Sequence, residues 1–310
     1  MSRIVKPIII IGCPRSGTSL LFRLLSTSRY LWSTYRESND IWDRFYKLSN
    51  IKFENDVLSD TNLTEELKTF LLNEFHKHSL KNYFLGYLIR EYFMKRRGLN
   101  FLTEVTSNIN STYKNLFVGD YKIVEKSPRN CFRISFINKL FDECKFIFLK
   151  RNGKTNINSL IEGWLAEDKY LRETELKVNL KIKGYNGNSW KFVMPPGWEN
   201  YIEKPLEEVC AFQWINSNKA ILDGLKSIEE ERKYTVSYEE LTHDTYITMR
   251  RICSFIHIPF STELRKISKK PLMVNFVTKP QEDKWKTNKE LIERIYPLIV
   301  PMMKELEYRI

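Results

Sequence analysis

The 310-residue chain reads as an α/β protein, with a central, mostly parallel sheet flanked by helices. Ile8 to Ile11 are four consecutive isoleucines, followed by a turn that holds Gly12 and Gly17 and then by a leucine-rich stretch. An apolar run of that length, bounded by turn residues, is a strand buried on both faces. Further short apolar runs recur between longer stretches of helical period. Such alternation implies parallel strands joined by right-handed crossovers. With 42% hydrophobic and 14% aromatic residues the composition is globular. The length suits one large domain with insertions or two small domains, and a single domain over residues 1–310 is the expectation.

After the first strand, residues 18–28 read as a helix with Leu20, Leu21, Leu24 and Leu25 on one stripe. Residues 29–39 read as a loop or short strand. Helical period with many aromatics runs from about Asn62 to Arg97, closed by the polar cluster Lys95-Arg96-Arg97-Gly98. Tyr121 to Glu125 reads as a strand. Phe132, Phe136, Ile137, Leu140 and Phe141 form a helical face, Lys145 to Leu149 a second buried strand, and Thr155 to Asp168 a helix. Gly184, Gly187, Pro195, Pro196 and Gly197 mark a loop region that holds Trp190 and Trp198. A long helix follows from about Pro205 to Glu230, then a strand over Tyr234 to Tyr238 and a largely helical stretch from Glu239 to Ile256. The last apolar stripe, residues 288–308, contains Pro297 and Pro301, which are expected to kink or break it.

The formal charge of +12 favours anionic partners without choosing among nucleotides, acidic carbohydrate, acidic peptide, nucleic acid and membrane surface. Cys13, Cys131, Cys144, Cys210 and Cys253 are odd in number, scattered, and form no C-x-x-C pair. That argues against a disulfide framework and against structural zinc. His76 and His78 lie two apart on a helical stretch, point to different faces, and are assigned ordinary surface roles; no metal is expected. The run Ile8–Ile11 falls far short of the ~20 residues that span a bilayer, and no signal peptide is evident. A soluble, cytoplasmic protein is the expectation.

The chemistry starts at Gly12-Cys13-Pro14-Arg15-Ser16-Gly17-Thr18-Ser19. A strand, a tight glycine loop and a helix N-terminus bring backbone N–H groups and the positive helix end onto one anion. The triphosphate-binding version of this loop reads G-x-x-x-x-G-K-[ST]. Here Gly12, Gly17 and Ser19 keep their places, but Thr18 stands where the lysine would be and the positive charge has moved forward to Arg15. The cradle is kept while the lysine for the β/γ-phosphates is lost, which points to a different phosphorylated ligand.

Cys-Pro-Arg-Ser-Gly-Thr-Ser before a leucine-rich helix resembles the 5′-phosphosulfate loop of sulfotransferases that use 3′-phosphoadenosine-5′-phosphosulfate (PAPS). The P-R-S-G-T branch, with tyrosylprotein sulfotransferases and many bacterial enzymes, is the most similar. The resemblance implies a P-loop-like sulfotransferase fold, with Pro14, Arg15, Ser16, Gly17, Thr18 and Ser19 on the cofactor. In Glu125-Lys126-Ser127-Pro128, Lys126 matches the cation that the family sets against the sulfuryl group and leaving phosphate. In Lys150-Arg151-Asn152-Gly153-Lys154, Arg151 and the later Ser159 match the pair that holds the 3′-phosphate. An arginine suits that task because its planar fork donates bidentate hydrogen bonds. Glu37, at nearly the branch's distance from Arg15, matches the catalytic base, with Asp40 and Asp43 as rivals. Tyr238, in Ser237-Tyr238-Glu239-Glu240-Leu241, matches a Y-E-x-L segment and either lies near the nucleotide or serves the fold. Lys279, in Thr278-Lys279-Pro280, matches a late K-P segment that closes over the cofactor.

In-line transfer of a sulfuryl group from PAPS to an acceptor hydroxyl is implied, with adenosine 3′,5′-bisphosphate (PAP) as product and no metal. The expected acceptor is a carbohydrate, a peptide tyrosine or a small molecule, with anionic ones among the candidates. Residues 50–118 and 165–205 match nothing in the family and are expected to carry acceptor specificity. Trp164, Trp190 and Trp198 stack on sugar rings or pack a core. A P-loop kinase or NTPase is a rival, but it would want the missing lysine and an Asp at a strand end for Mg²⁺. A basic nucleic-acid-binding module is a second rival, without any nucleic-acid motif to support it.

Overall fold

The computed structural model describes residues 3–34, 38–79, 119–166, 173–175, 179–269 and 283–310. Seven strands lie within them: β1 (Ile8–Ile11), β2 (Trp32–Ser33), β3 (Ile123–Lys126), β4 (Lys145–Lys150), β5 (Glu173–Glu175), β6 (Ser189–Lys191) and β7 (Lys233–Ser237). Five of them form one parallel sheet in the order β2-β3-β1-β4-β7, and β5 and β6 form a small antiparallel pair. The fold is α/β. β1 is the central strand, which is why all four of its isoleucines are fully buried. Ile9 and Ile11 face the larger core, together with Phe146 and Phe148 of β4. Ile8 and Ile10 face the smaller one, with Ile147, Leu149 and Val236.

The helices are α1 (Thr18–Ser26), α2 (Asn39–Ser49), α3 (65–79), α4 (Ile134–Leu140), α5 (Gly153–Leu165), α6 (Leu206–Leu225), α7 (Tyr238–His243), α8 (Thr245–Phe255), α9 (Thr262–Ser268) and α10 (Lys289–Glu305). The leucine stripe of α1 packs Leu21, Leu24 and Leu25 into the smaller core beside Met249, Ile252 and Leu264 of α8 and α9. Residues of α2, α3, α4, α5, α6 and α10 fill the larger core.

Several expectations are corrected. α2 was not foreseen, although Ile41, Trp42 and Phe45 mark its buried face. The helical period expected over 62–97 is a helix at 65–79, and its later part lies outside the described residues. The stretch 239–256 is two helices, because Asp244 caps the second by accepting from the Ile247 amide at 3.0 Å. Pro297 and Pro301 do not end α10, which stays helical through both. The loop region 183–198 contains β6. His76 is half-buried rather than a plain surface group: its ring is hydrogen-bonded to the Tyr121 hydroxyl, and burial lowers its pKa. Trp164 and Trp190 are fully buried and Trp198 nearly so, and the three rings meet edge to face at centroid distances of 5.4 and 5.5 Å. They are core residues and offer no ring face to a sugar.

Among the described residues, no helix is long and apolar enough to cross a membrane, and no three His, Cys, Asp or Glu side chains gather as a metal site. All five cysteines are free and buried.

Candidate active site

Parallel strands end on a common edge, and four of the segments leaving that edge carry the residues singled out in the sequence. In sheet order they are Lys126 at the end of β3, the loop 12–17 after β1, Arg151 after β4, and Tyr238 after β7. Register places Ile10 opposite Lys126, and Ile11 opposite Phe148.

The loop after β1 is built for close approach. Arg15 (φ 67°) and Gly17 (φ 101°) both adopt the left-handed region, where a non-glycine residue is strained by about 1–3 kcal/mol and which is enriched at functional sites. A Cβ on Gly12 would lie 2.7 Å from the Leu149 carbonyl oxygen, and one on Gly17 would lie 2.4 Å from Tyr238 Cδ2. Ser16 is buried, and its hydroxyl has no hydrogen-bond partner. An orphaned buried hydroxyl at the start of a helix, beside N–H groups that no helical carbonyl satisfies, fits an anion. Thr18 opens α1 and is also buried; Ser19 follows on the same first turn.

Arg15, Arg151, Ser159 and Tyr238 form one cluster with this loop. Arg15 Nε donates to Ser159 Oγ at 3.3 Å. Arg151 Nη1 donates to the Arg15 carbonyl at 2.7 Å, and its Nε donates to Thr155 Oγ1 at 3.2 Å. The Arg151 guanidinium lies over the Tyr238 ring, 4.2 Å from its centroid. Burial lowers the Arg151 pKa, opposed by Tyr238 and Glu239, and a guanidinium so placed keeps its charge. Asn156 Nδ2 donates to the Pro14 carbonyl at 2.9 Å and so ties α5 to the loop. The C-terminal segment braces the same turn. Tyr308 donates to Glu239 Oε2 at 3.0 Å, and Glu239 Oε1 accepts from the Asn152 amide at 3.1 Å. Cys13, inside the loop, is a packing group: burial pushes its thiol pKa well up, so the neutral form persists.

On the β3 side, Lys126 is buried at the start of a turn. Ser127 caps that turn and Pro128 opens it. Glu125, 1% exposed, points into the interior; Ser38 Oγ donates to its Oε1 and Asn130 Nδ2 to its Oε2. Burial pushes its pKa up to about 7, against the pull of those two hydrogen bonds and of Lys126 and Arg133. Behind the turn, Asp56 lies 2.8 Å from Arg129 Nε and 3.6 Å from Arg133 Nη2, and it accepts from the Met194 amide at 2.7 Å.

The structure thus brings together Pro14, Arg15, Ser16, Gly17, Thr18, Ser19, Arg151, Ser159 and Tyr238, with Lys126 on the adjacent strand end. Glu37 and Lys279 lie outside the described residues. Asp40 and Asp43 are exposed on α2. Sequence reasoning missed Asn156 and gave Glu125 no role. Asn156 shares a helix face with Ser159, three positions on, which is the signal that could have found it. Glu125 was detectable as an acid in a strand otherwise buried.

The family model described as "Sulfotransferase family" matches residues 7–262. A search of curated protein sequences finds no significant match. Among solved structures, a sulfotransferase from Alicyclobacillus acidocaldarius is similar over 99% of this chain and 98% of its own, at 12% identity and a TM-score of 0.49. Sulfotransferase STF9 from Mycobacterium avium is similar over 99% of this chain and 78% of its own, at 14% identity and a TM-score of 0.48. Mouse sulfotransferase SULT7A1, solved with PAP, is similar over 86% of this chain and 64% of its own, at 13% identity and a TM-score of 0.37. A match that runs from the strand before the glycine loop to the start of α9 takes in Lys126, Arg151, Ser159 and Tyr238, and the chain belongs to the sulfotransferase family.

Proposed function

We propose that the sulfuryl donor is PAPS and the acceptor a hydroxyl group, with PAP as product. The observation that carries this reading is the pairing on one sheet edge of a glycine cradle, whose buried Ser16 hydroxyl lacks a partner, with an Arg151/Ser159 pair that is hydrogen-bonded to Arg15 of that loop. A cradle of backbone N–H groups beside a guanidinium and a hydroxyl suits a nucleotide phosphorylated at both 5′ and 3′ positions, and the residues present fit it. The loop from Pro14 to Ser19 would hold the 5′ side, Arg151 and Ser159 the 3′-phosphate, and Tyr238 and Lys279 the remaining nucleotide. When bound, PAPS supplies an activated sulfuryl group with the bisphosphate as leaving group.

Arg15 and Lys126 set positive charge where negative charge grows on the sulfuryl and bridging oxygens, a stabilisation that costs no reorganisation when the groups are already placed. Glu37 takes the acceptor proton, and Asp40 and Asp43 are the alternatives. Within a single domain, residues 50–118 and 165–205 carry acceptor choice.

Calorimetry tests the donor. PAP should bind much more tightly than AMP, and Arg151→Ala should remove about 1.5–3 kcal/mol of that binding, the range for a hydrogen bond to a charged group. Equal affinities for PAP and AMP would refute the second phosphate site. Incubating the protein with PAPS and a library of hydroxylated acceptors, followed by mass spectrometry for added sulfate, identifies the acceptor. With that acceptor, Glu37→Gln should lower kcat by roughly 10²–10⁴ and leave PAP affinity unchanged. Full activity in Glu37→Gln with a dead Asp40→Asn or Asp43→Asn would move the base.

A further inference from the structure

We infer that Glu125 is a positioning residue that holds Lys126 toward the leaving phosphate; the inference rests on the PAPS reading. Glu125 is the last residue before Lys126, in a strand whose preceding residues, Ile123 and Val124, are apolar and fully buried. A carboxylate at that depth is costly unless it is fully hydrogen-bonded. Here both oxygens accept. Asn130 donates from beyond Lys126, so the Glu125–Asn130 bond closes the turn that contains Lys126, Ser127 and Pro128. The Asn130 amide also donates to the Ser127 carbonyl at 3.1 Å, within the same turn. Lys126 therefore sits on a short arc tied at both ends by one side chain.

Ser38 donates from the other direction. Its own hydroxyl oxygen accepts from Trp42 Nε1 at 3.0 Å, which links the indole to Glu125 through Ser38. Ser38 is the N-cap of α2 and directly follows Glu37 in the chain. One carboxylate thus joins the end of β3, the turn after Lys126 and the start of α2. With both groups donating, the two carboxyl oxygens are acceptors, a role the ionised carboxylate fills without rearrangement. Lys126 and Arg133 supply the positive charge around it. A glutamine has a single accepting oxygen, so it keeps both bonds only if Ser38 or Asn130 reverses its hydrogen-bonding role. If the Asn130 amide turned over, its oxygen, which has no partner now, could accept from the glutamine, but its nitrogen would then be orphaned.

Two measurements test the role, and neither needs the acceptor. The first is a double-mutant cycle on PAP affinity by calorimetry. Glu125→Gln should weaken PAP roughly 3- to 30-fold when Lys126 is present and less than about twofold in a Lys126→Ala background, because a residue that acts through another couples to it. Equal losses in both backgrounds, or no loss in either, would overturn the role. Should Glu125→Gln fail to fold, Asn130→Ala removes the other tie and carries the same cycle. The second is the indole N–H resonance of Trp42, assigned with Trp42→Phe, in nucleotide-free protein. It should titrate near pH 7 in the wild type and stay flat in Glu125→Gln, since Ser38 relays the change; a titration that persists unchanged in Glu125→Gln overturns the proposed tie. A wild-type protein that binds no PAP overturns the functional reading and this inference with it. Additivity in a wild type that does bind overturns only the role of Glu125.

Discussion

Gly17 is the residue at which the loop leaves least room, because its φ of 101° and the overlap that a Cβ would have with the Tyr238 ring exclude a side chain independently. Gly17→Ala should therefore weaken PAP at least tenfold and lower the melting temperature, with about 1–2 kcal/mol coming from the backbone alone. Adding Tyr238→Ala relieves the overlap but not the backbone strain, so affinity should return only in part. Calorimetry and thermal melts of the two variants check this, and a Gly17→Ala protein with unchanged affinity would remove the loop from the site. Glu125 has a consequence for stability as well. Its carboxyl titrates near pH 7 when folded and near the ordinary value of 4.5 when unfolded. Between those values the folded state holds more protons, so stability falls as pH rises from about 5 to 7, the reverse of an ion-paired acid. Urea unfolding across that range should show a downward slope in the wild type that is absent in Glu125→Gln; parallel slopes would mean that the group is ionised throughout.

At the scale of elements, β1 and its loop were legible because a doubly buried strand must be apolar at every position and the turn after it needs glycine. Arg151 and Ser159 were picked out by the family resemblance, whose motif is local because a strand end and the helix that follows it are adjacent in the chain. What escaped were contacts between distant segments, such as Ser38 with Glu125, Asn156 with Pro14, and Asp56 with Arg129 and Arg133. No local pattern encodes which distant groups pair, even where, as at Asn156, the helix face marks the residue itself. α10 escaped for another reason. Pro297 and Pro301 lie four apart on the exposed face, while Ile292, Ile295, Ile299, Met302 and Met303 are buried on the other. The carbonyls that lose their N–H partners lie toward water, where solvent satisfies them, and packing of the apolar face holds the helix. Replacing either proline by alanine should raise stability by about 1–3 kcal/mol, since proline is the poorest interior helix residue. Denaturant unfolding measures it. A loss of stability would show that the prolines fix a bend on which the core depends.

At the scale of the molecule, the sheet separates two cores and leaves one edge for chemistry, and the net charge of +12 favours the approach of anions. The field and the site act at different stages of binding. Encounter is governed by charges many ångströms away, which salt screens over about 10 Å at 0.1 M and about 3 Å at 1 M. Release is governed by short, partly buried contacts such as those around Arg151 and Ser159, which salt screens much less. Raising NaCl from about 50 mM to about 500 mM should therefore slow PAP association roughly 3- to 10-fold and change dissociation less than about twofold. Stopped-flow measurement of both rates checks the division. If dissociation carried most of the salt dependence, exposed lysines rather than the cradle would hold the phosphates. A duplex DNA competitor, added at low salt, separates this site from general anion binding. DNA should leave bound PAP in place, whereas displacement that fades steeply with salt would mark the basic surface as a nucleic-acid site.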